Sequence, residues 1–297
     1  MNLDFIARPL GMFLYFIYNT VAFKNYGLAI ILFTLAIKLV LLPLTIKQLK
    51  SAAQMKEINP QIQELQRKYK NDKEKLNQEM LKLYSEHKVN PAGGCLPLLI
   101  QFPIILSLYW VIVQPLKFML GKTPEQIKKI VDFVATQIGP ERLSFQKELI
   151  ALNYFSEHPD KLPNVADALK AAELVDMRFL GLNLGKIPTF KWDIISSDMA
   201  TYLPLLIIPV IAVIATYLST RMTMPKQEDS SQSAAMAATS NSMLYIGPLM
   251  TLMFSFQVPA GVGLYWTINS VFQILQQLYI NKFILNDNKD KEVKTSK

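Results

Sequence analysis

The sequence has one cysteine, Cys95, and two histidines, His87 and His158, and charged residues fill only 18% of its 297 positions. A lone cysteine closes no internal disulfide, and two histidines build no multi-histidine metal site without help from carboxylates. There is no GxSxG, no HExxH, no glycine-rich phosphate loop and no run of carboxylates inside an apolar stretch. Serine-hydrolase, zinc-protease and nucleotide-driven chemistries therefore lack their residues, and neither a cofactor nor a metal is expected. An enzyme is the weaker class. Both histidines lie in polar surroundings, where a solvated imidazole is the simpler reading. Cys95, beside Gly93 and Gly94, reads as a small packing residue. The charged fraction falls below the quarter usual for a soluble domain, while 51% of residues are apolar. A membrane protein follows. The net charge of +8 suits an anionic partner, yet excess lysine is also what cytoplasmic membrane loops carry.

Long apolar runs mark the spans. Residues 27–46 are broken only by Lys38 and two threonines, and at about 1.5 Å per residue they cover roughly 30 Å, a hydrocarbon core. With its flanks this gives a first span at 26–47. Residues 94–117 and 199–221 are equally apolar and contain prolines that a membrane helix tolerates. Residues 243–259 and 261–285, parted by the turn at Pro259-Ala260-Gly261, read as a membrane hairpin. The expected fold is all-α and polytopic, with five transmembrane helices. Residues 1–25 place Phe5, Leu10, Phe13, Ile17 and Val21 mostly on one face, which predicts an interfacial amphipathic helix. A signal peptide is the competing reading, with Thr20-Val21-Ala22 as a poor cleavage signature.

Lysine and arginine set the orientation. The segment 47–88 carries ten of them against six acids, and the tail after Tyr279 five against three, so both belong in the cytoplasm. Residues 117–198 carry eleven of each sign and are long enough to translocate regardless. They form an expected extracellular helical insertion at 118–198, with residues 222–242 as a cytoplasmic loop and 286–297 as a basic cytoplasmic tail. Within residues 48–90, Asn59-Pro60 looks like a helix start, with Ile62, Leu65 and Tyr69 following at helical spacing. Asn71 with Glu74 resembles a capping box ahead of Leu76, Met80, Leu83 and Tyr84. A cytoplasmic hairpin of two antiparallel amphipathic helices results. In the insertion, Thr123-Pro124-Glu125-Gln126 opens one helix, and a second run covers residues 142–155.

Lys38 is the anomaly, because it sits near the middle of the first span. A lysine there costs about 2.5 to 3.5 kcal/mol, so it should face water, a partner or a cavity unless it snorkels to an interface. Thr34 lies one turn earlier on the same face. In the last span Trp266, Asn269, Ser270, Gln273, Gln276 and Gln277 recur at three- and four-residue spacing as a polar stripe, which Gln101 of the second span could join. Such residues can be interhelical glue at roughly 0.6 kcal/mol each, or can line a cavity. A central cation favours the cavity. The two functional readings are accommodation of part of another polypeptide, and small-solute or anion transport with Lys38 as the binding charge. No internal repeat of the kind transporters carry is found across the five spans.

Residues 38–48 (KLVLLPLTIKQ), 70–80 (KNDKEKLNQEM), and Asn90-Pro91-x-Gly93-Gly94-Cys95-x-Pro97-x-x-Ile100-Gln101-x-Pro103 resemble the YidC/Oxa/Alb membrane protein insertases. The likeness extends through residues 259–266 (PAGVGLYW) and Gln276-Gln277. The resemblance implies an insertase and chaperone with a hydrophilic groove formed by Lys38, Thr34, Gln101, Trp266, Asn269, Ser270 and Gln273. It further implies a recruiting hairpin, on which Pro60, Asp72, Lys73 and Lys75 are the candidate residues. Nascent membrane proteins, the ribosome, the Sec translocon and membrane lipid are the implied partners, with no specific nucleic-acid sequence, and the protein is expected to act as a monomer in a bacterial plasma membrane. The family's groove usually carries arginine where this chain has Lys38, which keeps the charge and loses the bidentate fork. The insertion at 122–176 lies outside the family motifs. No large domain precedes the first span, unlike in Gram-negative members, which suggests a Gram-positive type, although the lipobox cysteine that many Gram-positive members carry near the N-terminus is missing.

The charge count generates a topology test: reporters fused after Lys88 and after Lys297 should be cytoplasmic, and one near Glu157 external. An internal reporter at Glu157 would reverse the arrangement.

Overall fold

The computed structural model describes residues 4–87, 89, 96–143, 146–223 and 234–280. It is mostly helical and divides into two compact units, Met1–Ile37 with Pro103–Ile274, and Lys38–Phe102 with Leu275–Lys297. Twelve α-helices occur among the described residues: α1 (Asp4–Thr20), α2 (Tyr26–Lys68), α3 (Lys73–Glu86), α4 (Leu96–Val113), α5 (Pro115–Phe118), α6 (Pro124–Ile138), α7 (Lys147–Glu157), α8 (Trp192–Ser197), α9 (Met199–Leu205), α10 (Ile207–Thr223), α11 (Ala234–Ser255) and α12 (Ala260–Ile280). The all-α expectation needs one amendment, a short antiparallel ladder of β1 (Arg178–Phe179) and β2 (Leu182–Asn183).

Among the described residues two stretches are long and apolar enough to cross a membrane, Tyr26–Gln48 and Met199–Thr223, and Phe102–Val113 and Leu244–Ser255 are shorter apolar helices. Proline chemistry explains where the helices depart from the expected spans. The second span, expected to run to residue 117, stops at Val113, because Pro115 pushes Gln114 out of helical geometry to φ −121°, ψ 60° and starts the short α5. The stretch at 199–221 is two helices, since Pro209 has no N–H to offer the Leu205 carbonyl and the chain tightens at Leu206. The span expected at 243–259 is part of α11, which begins at Ala234 and ends at Ser255. The expected fifth span at 261–285 is described to Ile280 as α12, and the tail 286–297 lies outside the described residues.

The unit holding Lys38–Phe102 corrects the sequence reading at both hairpin helices. No helix starts at Asn59-Pro60: α2 runs unbroken for 43 residues through Pro43 and Pro60. Ile58 and Ile62, one turn apart on either side of Pro60, are buried with Leu83 and Val89. Burying such side chains is worth about 1.5 to 3 kcal/mol each, which offsets the roughly 3 kcal/mol of an internal proline. The cap of α3 is Asp72 rather than Asn71, its carboxylate accepting the Lys75 N–H at 3.0 Å. Met55, Leu65, Met80 and Tyr84 pack around the same small core, and His87 Nε2 lies 3.2 Å from Gln61 Oε1.

In the other unit, α6 opens as expected, with Thr123 and Gln126 exchanging both bonds of a capping box. The second insertion helix begins at Lys147, five residues after the expected Arg142, because a tight turn at Pro140–Arg142 leaves Leu143 extended. The insertion is docked on the rest of its unit. Lys117 Nζ pairs with Asp4 at 2.9 Å, and the Asp176 N–H donates to the Tyr18 hydroxyl at 3.1 Å. The Phe179 ring covers Gly27, where any Cβ would collide with it. The backbone N–H groups of Ala260 and Gly261, at the start of α12, donate to the carbonyls of Lys186 and Leu184 at 2.9 and 2.8 Å. These bonds satisfy two of the donors that every helix start leaves open.

Glu148 is buried in this unit and accepts the Lys117 N–H at 3.0 Å. Burial pushes its carboxyl above the usual carboxylate range, partly offset by that N–H and the Lys117 charge. A raised carboxyl pKa contributes stability that is complete below the unfolded value and is lost as pH rises through the folded one. Glu148→Gln keeps an acceptor without the charge, so its melting temperature should gain on the parent's as pH rises above the ordinary glutamate range. Parallel melting curves that keep a constant gap across that range would refute this.

Candidate functional site

Position within α2 gives Lys38 its character. The segment Tyr26–Gln48 is apolar, and Lys38 is only 6% exposed although Leu39 and Val40 beside it are 60% and 75% exposed. An ammonium withdrawn from contact on a helix whose neighbouring face is open is the reverse of a snorkelling lysine, which extends its head to water. No ion pair to Lys38 occurs among the described residues. Thr34, one turn earlier, is buried, and its hydroxyl donates to the Ile30 carbonyl at 2.7 Å. That bond spends the Thr34 proton inside its own helix and leaves the oxygen lone pairs as the remaining polar feature.

The α12 stripe has mixed fates. Asn269 and Ser270 are buried at 6% and 3% exposure, while Trp266 is half-buried. Asn269 Oδ1 is buried and has no hydrogen-bond partner among the described residues. Gln273 is engaged: its Oε1 accepts the Ser219 hydroxyl at 2.9 Å, tying α12 to α10. Gln276, also buried, leaves its Nε2 without a partner among the described residues. The stripe is thus glue at Gln273, and at Asn269 and Gln276 it holds polar atoms whose desolvation costs roughly 1 to 3 kcal/mol each while unanswered. The side chain of Gln101 lies outside the described residues, although its backbone belongs to α4.

Several polar residues of this unit escaped the sequence reading. Thr216, Ser219 and Thr251 put hydroxyls between α10 and its neighbours, with Thr251 Oγ1 3.4 Å from Thr216 Oγ1. Thr251 also donates to Gly247, Ser255 to Thr251 and Thr220 to Thr216, each one turn back. The signal was present as Gly247, Thr251 and Ser255 at four-residue spacing, a small-residue face suited to close helix packing. Close approach recurs at Gly263, where a Cβ would meet Ile208 Cγ2 at 2.7 Å. Tyr26 OH and Ser107 Oγ are buried without a partner among the described residues.

The hairpin candidates behave differently. Pro60, Asp72, Lys73 and Lys75 are exposed, and Asp72 caps α3 by accepting the Lys75 N–H. Lys68 and Lys75 flank the Tyr69 ring at 5.4 and 5.6 Å, a cation–π arrangement at the hairpin tip. Among the described residues no group of histidine, cysteine and carboxylate side chains could hold a metal ion.

Comparison with known proteins joins these features to one family. Residues 16–288 match the family described as 60Kd inner membrane protein. The chain is 28% identical to the membrane protein insertase YidC of Fusobacterium nucleatum, over 94% of this chain and 98% of that one. It is 31% identical to membrane protein insertase YidC 2 of Listeria innocua, over 86% of this chain and 64% of that one. It is also 31% identical to the YidC insertase of Geobacter sulfurreducens, where 94% of this chain corresponds to only 38% of the longer relative. An apolar helix with a withdrawn cation, an α12 stripe with unanswered polar atoms and a match over nearly the whole length agree: the chain belongs to the 60Kd inner membrane protein family, the family of the YidC membrane protein insertases.

Proposed function

We propose that the chain inserts newly made proteins into a bacterial plasma membrane through a hydrophilic groove, without ATP, and helps them fold. The proposed arrangement has five spans, α1 lying in the interface, an external N-terminus and a cytoplasmic C-terminus. The observation that carries the reading is the burial of Lys38 within an apolar membrane helix. A cation held there at a cost of about 2.5 to 3.5 kcal/mol is retained for a ligand of opposite charge, and acidic residues of a translocated tail supply one. Thr34, Gln101, Trp266, Asn269, Ser270 and Gln273 complete the polar lining. Unanswered atoms such as Asn269 Oδ1 offer hydrogen bonds to water or to a passing backbone, which reduces the cost of carrying polar groups into the bilayer. The driving force is burial of the substrate's own apolar segment in lipid, at about 25 cal/mol per Å². No covalent step is needed.

Capture precedes insertion in this scheme. The hairpin of α2 and α3 buries its apolar stripe internally, leaving Pro60, Asp72, Lys73 and Lys75 outward for the ribosome or the arriving chain. The basic tail provides a second, salt-sensitive attraction for ribosomal phosphates. The protein works as a monomer, alone or beside the Sec translocon, with lipid as the receiving phase.

Lys38→Arg should preserve insertion by reconstituted protein, because charge at that depth is the shared property. Lys38→Ala and Lys38→Glu should lower it, by about tenfold for acidic tails if roughly 1.4 kcal/mol of attraction is lost. Equal insertion by all variants, across several substrates at matched abundance, would remove Lys38 from the mechanism. Deleting residues 59–87 should stop insertion while the membrane helices still assemble, and deleting 289–297 should weaken ribosome binding only at low salt. Normal insertion without the hairpin would show that the groove captures substrates unaided.

A further inference from the structure

Among the described residues, positive φ at a residue other than glycine occurs at three positions: Phe23 at 51°, Lys24 at 58° and Leu180 at 49°. Left-handed geometry is disfavoured for side chains with a Cβ, and glycine or asparagine is the usual choice. Phe23 and Lys24 close the end of α1, with the Ala22 N–H donating to Ile17 and the Lys24 N–H to Tyr18. Leu180 and Gly181, at φ 49° and 81°, form the two-residue turn between β1 and β2, where Asn-Gly is the common sequence. This chain keeps bulky apolar residues at two sites whose backbone favours small polar ones. The same two are the most exposed large apolar side chains described, Phe23 at 86% and Leu180 at 85%.

The two turns are neighbours. Phe179, beside Leu180, packs its ring on Gly27 in the first turn of α2, and Asp176 bonds Tyr18 at the end of α1. Phe23 precedes by three residues the apolar span that starts at Tyr26, so this end of the span carries the pair to the boundary between hydrocarbon and water. Lys24 and Arg178, both exposed, stand beside the two apolar side chains. Apolar side chains at this depth with cations alongside match the layered chemistry of a lipid interface.

We propose that Phe23 and Leu180 form an apolar foot that seats in the lipid interface at the N-terminal end of the α2 span, with Lys24 and Arg178 meeting anionic headgroups. The strained turns persist because they aim these side chains at lipid. The proposal rests on α2 crossing the membrane, and its test separates the two. In a Cys95→Ser background, single cysteines at 23, 180 and, as the span control, 40 are spin-labelled in proteoliposomes of phosphatidylcholine and phosphatidylglycerol. Relaxation by oxygen against a nickel chelate then reads depth. Labels at 23 and 180 should fall on the lipid side of the phosphate level, and a label at exposed Asp160 on the water side. A label at position 24 should lie near the phosphate level and move outward in Phe23→Asn/Leu180→Asn, because asparagine keeps the left-handed turns and removes the apolar contact. Nickel-accessible labels at 23 and 180 with a lipid-buried label at 40 would overturn the foot and leave the span intact. A water-exposed label at 40 would instead overturn the spanning reading. An unmoved label at 24 in the double variant would show that these side chains do not anchor the turn, which also refutes the proposal.

Discussion

The start of a helix leaves backbone N–H groups with no partner inside the helix, and α12 has its first two answered by chain far away in sequence. The carbonyls of Lys186 and Leu184 accept from Ala260 and Gly261. Those two bonds hold the segment after β2 against the beginning of α12, and with it the ladder whose Phe179 covers Gly27 at the beginning of α2. The two helices that carry the polar stripe and the start of the Lys38 span thus share one backing. Without this bracket the N–H groups would need water at the start of an apolar helix, and Phe179 would lose its seat. The insertion is a structural fixture of its unit.

A second constraint is electrostatic. An ammonium withdrawn from contact in an apolar helix is tolerated only with hydration or a counter-charge nearby, and no carboxylate pairs with Lys38 among the described residues. Within its own unit α12 presents a complementary condition, a buried amide oxygen on Asn269 without a donor. Both are local violations of the rule that polar groups are satisfied when buried, and such violations collect where a protein does its work.

Much of this was legible beforehand. Apolar runs located α2, α4 and α10 through α12, because a bilayer demands about twenty apolar residues and little else does. The Thr123 capping box was readable since its spacing is itself the geometry. Lys38 and Asn269 stood out for their residue types in apolar company. What failed were helix boundaries decided by tertiary burial: Asn59-Pro60 has the chemistry of a helix start, and only the packing of Ile58 and Ile62 against Leu83 keeps α2 running through it. The break before Pro115 and the tightening at Leu206 show the opposite outcome, the helix giving way at proline although Ile112 and Leu116, and Leu205 and Ile208, are buried on either side. The bond between Ser219 and Gln273 could not be read from spacing, since it depends on where Ser219 lies.

The hydroxyls of α10 and α11 mostly donate one turn back within their own helices, Thr220 to Thr216, Thr223 to Ser219, Thr251 to Gly247 and Ser255 to Thr251. Apart from Thr251, which also reaches Thr216 Oγ1 at 3.4 Å, these side chains spend their protons inside their own helices. The α10 and α11 contact is therefore held chiefly by shape, through many weak dispersion contacts that change little under a small axial displacement. The Ser219–Gln273 bond, being directional, resists the same displacement between α10 and α12. α10 is thus tied to α12 by a bond of 2.9 Å and to α11 by a longer one of 3.4 Å, so its packing against α11 depends more on shape than on direction.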